Sequence, residues 1–566
     1  MFSPEVRRIA LMVALAAISY LLLLAWNEDY GIGSDPEPTE APAPIAADDA
    51  PSVPVPADDL PDASIGTASV PAAALEPVPP APEDTAPRQV QVTTPELQLT
   101  IDRLGGDVVA LALPKYPRST ENATPFRLLA QDGQHTYVAQ SGLIGPDGVD
   151  STGERPLYTA LRSDYRLGED DDELAVELRH ETAAGVEVIK RFRFEAGSYA
   201  FDVEHEVRNG SVADVRARLF AQLKRDDSTP EEEGFQIGPR PYVGAALTTP
   251  EDRYNKVDFD DVDESEFRAD VTGGWVAMLQ HYFVVAWVAN PEELNAYTGR
   301  RLAGLGRPLY AFGYVAPEFR VAPGATQVVA AKLYAGPKHQ DRLEAIAENL
   351  SLTVDYGILW WLAVPLFQAL AYIQSWVINW GVAILLLTLA IKLVLYPLSA
   401  IAYRSGAKMR RVAPQLKRLQ ERHADDRRKL SAEMMELYRR EGANPFGGCL
   451  PMLLQMPVFF ALYWVLYESV ELRQAPFFLW IEDLSVMDPF FVLPILMGGS
   501  MYLMQMLNPP MPDPMQARMM KMMPFLFTAF SLFFPSGLVL YWLANNLLSL
   551  LQQWYVTRQA DREAAA

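Results

Sequence analysis

Lys392 stands alone in the apolar run from Trp376 to Pro397, which holds no acidic residue to neutralise it. A cation at the centre of a hydrocarbon span costs about 2.5–3.5 kcal/mol on insertion scales. A chain that keeps one there either faces it into a polar cavity or lets the aliphatic stem carry the ammonium to the interface. Thr388 lies one turn earlier on the same helix face. Gln455 precedes Met456-Pro457, and Pro457 frees a backbone carbonyl that needs a partner or water. Asn545, Asn546 and the Tyr541-Trp542 pair fall in the last apolar run. The chemistry these groups offer is binding and orientation of polar or anionic segments. Two readings stay open on the residues alone. The groups line a polar groove, or Lys392 snorkels while Gln and Asn join helices by hydrogen bonds.

Other chemistries lose support. None of the six histidines (His135, His180, His205, His281, His339, His423) lies in an apolar run, and there is no HExxH motif, no mid-span acidic pair and no Walker loop. Intramembrane protease, proton-coupled transporter and ATPase readings weaken accordingly, and no cofactor or metal is expected. A small-anion transporter built on Lys392 is the rival reading. It predicts inverted repeats and paired broken helices, and the chain has no internal repeat. A carbohydrate enzyme in residues 89–345 would need paired carboxylates or a histidine in a cleft.

The elements that position these groups follow from length and charge. A chain of 566 residues implies more than one domain. Residues 9–355 carry 28 basic and 56 acidic side chains, whereas the stretch from Tyr356 onward carries 18 against 14. An acidic middle and a mildly basic, apolar C-terminal third suggest two compartments, and make direct nucleic-acid binding an unpromising reading. The single cysteine, Cys449, excludes an internal disulfide and reads as a packing residue.

Arg7-Arg8 followed by the apolar run Ile9–Trp26 reads as an uncleaved anchor over residues 1–26 with a cytoplasmic N-terminus. Residues 27–88, rich in Pro, Ala and acids, read as a disordered tether. Residues 89–350 read as an external β-rich sandwich closed by a helix from about Lys338 to Leu350. The alternation in Leu97-x-Leu99-x-Ile101 and the strand–turn–strand pattern from Val186 through Gly197 to Val203 carry that reading. Ile358–Leu398 is twice what one span of about 20 residues requires. Pro365, Gln368, Gln374, Ser375 and Asn379 break up its first half, so 351–379 reads as an interfacial amphipathic helix and 380–400 as a span.

Loop 401–445 carries 12 basic and 6 acidic residues and is therefore cytoplasmic, a helical hairpin with its tip near His423–Asp426. Its seams Val412, Leu416, Leu419 and Leu430, Met434, Leu437, Tyr438 fit either a docking surface or an ordinary coiled-coil pair. Further spans follow at 447–468, 489–507, 522–534 and 538–556. This completes a five-span core over 380–556, six spans in all, and a short cytoplasmic tail, 557–566. The stretch Met522–Phe534 is short for a bilayer unless its helix starts near Met515. Ten of the 19 methionines lie between Met497 and Met523, and suit either a surface for varied apolar partners or membrane packing.

Several specific motifs occur in one order: Leu352-Thr-Val-Asp-Tyr-Gly357, Tyr396-Pro-Leu398, Asn444-Pro-x-Gly-Gly-Cys449, Gln455-Met-Pro457, Val470-Glu-Leu-Arg-Gln-Ala-Pro476, Asp513-Pro-Met-Gln516 and Phe534-Pro-Ser-Gly-Leu-Val-Leu-Tyr541. Gly274-Trp-Val-Ala-Met-Leu-Gln280 joins them in the external region. In these the chain closely resembles the YidC family of membrane protein insertases, in its long Gram-negative form. The resemblance implies a multi-span α-helical inner-membrane protein with a large periplasmic β-sandwich, and a groove open to the cytoplasm and lipid. It implies a non-enzymatic insertase and chaperone for nascent membrane proteins, acting alone or with the Sec translocon. Targeting factors or the ribosome would dock at hairpin 401–445. By motif matching, Thr388, Lys392, Gln455, Met456, Pro457 and Trp542 fall at groove or substrate-contact positions. Lys392 stands where the family usually has arginine, so the charge is kept while the bidentate fork is not.

Overall fold

The computed structural model describes residues 60–61, 87–120, 122–132, 135–150, 155–168, 170–228, 241–302, 307–423, 426–441, 450–507 and 514–565. The expected anchor 1–26, nearly all of the tether, the end of the hairpin loop and Cys449 lie outside these residues.

Period-two patterning dictates the N-terminal region. Gln89–Thr93 alternates buried and exposed side chains and Ala200–Asn209 alternates buried and mostly half-buried ones, the period that a strand requires. Val186–Glu195 and Ala200–Asn209 pair antiparallel, joined by a tight turn in which Gly197 takes φ +77°. The described strands form an eleven-stranded and a nine-stranded sheet. In the first, Val215–Asp226 lies between Thr136–Ile144 and Leu309–Val315. In the second, Thr326–Pro337 lies between Phe283–Val288 and Ala200–Asn209. Trp287 Nε1 donates to Gln222 O across the gap between the sheets, at 3.0 Å. Trp275, on the neighbouring strand, donates instead to Glu348 O at 3.0 Å, because the helix Gln340–Ile346 and the turn after it cover the outer face of the nine-stranded sheet.

Polar groups also lie between the sheets. Arg155 binds Asp107 at 2.8 Å and Asp150 at 2.6 Å, and Lys190 Nζ donates to Gly105 O and Ser141 O. These acids are locked by cations inside the sandwich, so they do not form the open cleft that sugar chemistry would require.

The C-terminal region is helical. Its helices are α1 (Trp360–Val377), α2 (Trp380–Val394), α3 (Tyr396–Arg422), α4 (Arg427–Glu441), α5 (Leu450–Glu468), α6 (Val492–Leu507), α7 (Pro514–Ser531) and α8 (Ser536–Ala565). Asn379 caps α2 by accepting from Val382 N. The axis bends by 68° between α2 and α3, where Pro397 at the head of α3 cannot continue the hydrogen-bond ladder. Helix α7 starts at Pro514 and runs for 18 residues, about 27 Å. The helix therefore begins before Met522, as a start near Met515 requires, although Arg518 and Lys521 lie in the added turns. Residues 557–565, read from sequence as a tail, continue α8.

Helices α3 and α4 pack their seams on each other: Val412, Leu416, Leu437 and Tyr438 are buried together, with Met409, Leu419 and Met434 against them. The hairpin seam is thus satisfied internally.

The β-rich region meets the helices through the last turn of α5 and the segment after it. His281 contacts Tyr467 O at 3.0 Å, His339 Nδ1 lies 2.9 Å from Glu471, and Arg473 donates to Pro117 O and Arg118 O. Asn379, between α1 and α2, donates to Pro476 O and Phe477 O. At the other end of α1, Tyr356 accepts from Gln340 at 2.7 Å. Both ends of α1 therefore adjoin the β-rich region or the loop bound to it.

Candidate functional site

Lys392 occupies the last turn of α2, where the carbonyl end of the helix dipole favours a cation. Its side chain is 8% exposed. The ammonium donates to Gln455 Oε1 of α5 at 3.0 Å and to Ser549 Oγ of α8 at 2.7 Å. Gln455 Nε2 in turn donates to Asn545 Oδ1, and Ser549 Oγ donates to Asn545 O at 2.7 Å. One cation thereby joins three helices through neutral oxygens. Asn546, on the neighbouring face of α8, donates to Ser500 Oγ of α6 at 3.2 Å.

The other residues singled out from sequence take different positions. Thr388 is buried and its hydroxyl donates to Ile384 O of its own helix at 2.7 Å, so it does not join the network. Met456 is exposed beside Gln455, and Pro457 sits inside α5. Trp542 lies one turn before Asn545 and Asn546, stacked on Phe459 at 5.2 Å and edge-on to Phe534 at 5.4 Å. This aromatic cluster is a packing element rather than a polar contact. Ser549 was missed in the sequence. The available signal was its spacing of four from Asn545, which puts both on one face of α8.

Among the described residues no group here is paired as nucleophile and base. The arrangement holds one positive charge among hydrogen-bonding oxygens between helices, which suits transient attraction of a polar or acidic segment. Among the described residues no cluster could hold a metal ion.

Family models divide the chain within α1: one for the YidC periplasmic domain matches residues 89–369, and one for the 60Kd inner membrane protein matches residues 372–563. A membrane protein insertase YidC from Azotobacter vinelandii is 48% identical over 564 residues, covering 99% of both chains. The chain belongs to the YidC family. The family's counterpart in Marinobacter nauticus is 45% identical over 570 residues, again covering 99% of each chain. A solved structure described as an active YidC insertase with its first transmembrane domain resolved covers 83% of this chain and 93% of its own, at 18% identity and a TM-score of 0.37. Membership makes this an inner-membrane protein with a periplasmic β-rich domain and a helical C-terminal part. Its relatives are named as insertases, a role that is not enzymatic.

Proposed function

We propose that this protein inserts apolar segments of nascent membrane proteins into the inner membrane, with Lys392 drawing the polar tail of the substrate between α2, α5 and α8. The observation that carries the reading is the Lys392–Gln455–Asn545–Ser549 network. It supplies polar partners at membrane depth, which lowers the cost of passing polar groups through hydrocarbon. Burial of the apolar segment in lipid then drives the reaction without nucleotide or metal. Met456 beside the network, and Met506, Met515, Met519 and Met522 on α6 and α7, are exposed and suit a surface that accepts varied apolar substrates.

The topology in this reading has six spans: the anchor 1–26, then α2, α5, α6, α7 and α8, with both termini cytoplasmic. Helix α1 is long and apolar enough to cross a membrane. An interfacial position is nonetheless supported by the contacts of both its ends on the β-rich side. A crossing α1 would also export the basic hairpin, against the positive-inside rule. The domain boundaries proposed are 89–350 for the periplasmic sandwich, 351–379 for the interfacial helix and 380–556 for the core. The protein acts alone or with the Sec translocon, and hairpin 401–445 receives substrate from targeting factors or the ribosome. Since its seam is closed, such docking uses its charged outer faces.

The test is reconstitution of the full chain into liposomes with a small single-span substrate carrying an acidic external tail. Protease protection of the tail well above empty liposomes is expected. Protection equal to that of empty liposomes overturns the reading.

A further inference from the structure

A cavity of about 450 Å³ opens where α3, α6 and α8 converge, lined by Arg410, Leu507, Gln553, Trp554, Thr557, Arg558 and Arg562. It is separate from the Lys392 network. Arg410 and Gln553 both donate to Leu507 O at the carbonyl end of α6, while among the described residues the buried Nε–H of Arg410 and the buried hydroxyl of Thr557 have no partner. The Arg558 guanidinium lies 5.2 Å over the ring of Trp554. Three arginines and an unspent hydroxyl around one cavity make a site for an anion with several acceptor oxygens.

Depth and shape identify the source of that anion. Ser536, which binds Val486 O on the β-rich side, is 21 residues before Thr557, so the cavity lies about 32 Å further along α8. A hydrocarbon core is about 30 Å thick, which puts the arginines at the opposite headgroup layer. Leu547, Leu551 and Trp554 are exposed and fall on one stripe of α8, and Arg558 and Arg562 continue that stripe. Exposed Leu503 and Met506 border it on α6. A free phosphate would use only the arginines. A phospholipid would use both, with its phosphate in the cavity and an acyl chain along the stripe. In the sequence Asp561 and Glu563 flank Arg562, and these two acids reduce the charge of the three arginines without removing it.

We propose that this cavity binds the headgroup phosphate of an anionic phospholipid from the cytoplasmic leaflet, with one acyl chain lying along Leu547, Leu551 and Trp554.

The test is native mass spectrometry of the full chain released from detergent with added phosphatidylglycerol, phosphatidylcholine, inorganic phosphate, glycerophosphoglycerol or an acidic peptide. Phosphatidylglycerol is expected to be retained about tenfold more than phosphatidylcholine, since basic clusters at the membrane surface select anionic lipid. The Arg558→Gln/Arg562→Gln variant should abolish this preference, and both side chains are exposed, so the helix fold is not at stake. The Arg558→Lys/Arg562→Lys variant should keep most of it. Equal retention of both lipids, or a preference unchanged in the Gln variant, overturns the proposal. Inorganic phosphate or glycerophosphoglycerol retained as strongly as phosphatidylglycerol would overturn the acyl-chain contact, and binding of the acidic peptide alone would overturn the proposal in favour of a protein partner.

Discussion

Lys392 Nζ and Ser549 Oγ, 157 positions apart in the chain, lie 2.7 Å apart in a hydrogen bond that ties α2 to α8. Among the described residues no counter-ion shares this bond: the other ammonium contact is Gln455, a neutral amide. A charge held only by neutral oxygens remains available to an approaching acid, which a carboxylate partner would have quenched. Replacing Ser549 by Val therefore removes support without changing charge. It should cost about 1.5–3 kcal/mol, the range for a hydrogen bond to a charged group, and slow insertion of acidic-tailed substrates more than of neutral ones. Parallel thermal melts and insertion assays check both effects. An equal effect on the two substrates would make Ser549 a structural strut only.

The joint between the two regions is also polar. His339 lies 2.8 Å from Tyr116 on one side and 2.9 Å from Glu471 on the other, so strand, closing helix and core loop share one imidazole. His339→Ala and Glu471→Ala should be non-additive. A double-mutant cycle by urea unfolding of the full chain is expected to give a coupling of about 0.5–3 kcal/mol, and additivity would remove the joint as an energetic link.

Inside the sandwich, burial pulls the Lys190 ammonium down to about 8 from its usual 10.5, although Asp107 opposes the shift. Between these two values the unfolded chain binds the proton that the folded domain has released. Stability therefore rises with pH across that window, by up to about 1.4 kcal/mol per pH unit. Pulse proteolysis of the β-rich domain between pH 7.5 and 9.5 should show this rise in the wild type. Lys190→Met should lose the slope, and should be less stable because the buried carbonyls of Gly105 and Ser141 would lose their donor.

Two adjacent glycines on α6 separate packing from helix propensity. A Cβ on Gly498 would collide with Thr528 of α7, whereas one on Gly499 meets open space. Gly498→Val should lower stability by about 1–3 kcal/mol through overpacking. Gly499→Ala should be neutral or stabilising by up to about 1 kcal/mol. Thermal melts in detergent would contradict the close α6–α7 approach if the two behaved alike.

Much of this was legible in the sequence because the signals were local. Alternation across Val186–Phe194 and Tyr199–Val203 marked a strand pair, and an isolated charge in an apolar run marked Lys392. Gln455 and Asn545 stood out as amides in apolar runs. Ser549 did not, since one small hydroxyl barely perturbs hydropathy. The Arg155–Asp107–Asp150–Lys190 cluster was invisible among 56 acids of the middle region, because its members come from separate strands and loops. Contacts of Arg473 with the backbone carbonyls of Pro117 and Arg118 leave no residue-type trace at all. The hairpin seam was readable as amphipathic, but amphipathicity does not say whether a seam faces itself or a partner. The internal packing of Val412 on Leu437 and Tyr438 decided that.

The most direct measurement compares wild type, Lys392→Arg, Lys392→Ala and Lys392→Glu, reconstituted at equal density, for protease protection of an acidic substrate tail. Insertion should be kept by wild type and Arg, fall by about tenfold in Ala, and be lowest in Glu, since an ion pair at membrane depth contributes more than one in water. Equal insertion by all four would contradict a charged path through Lys392 and reduce the residue to a tie between α2, α5 and α8.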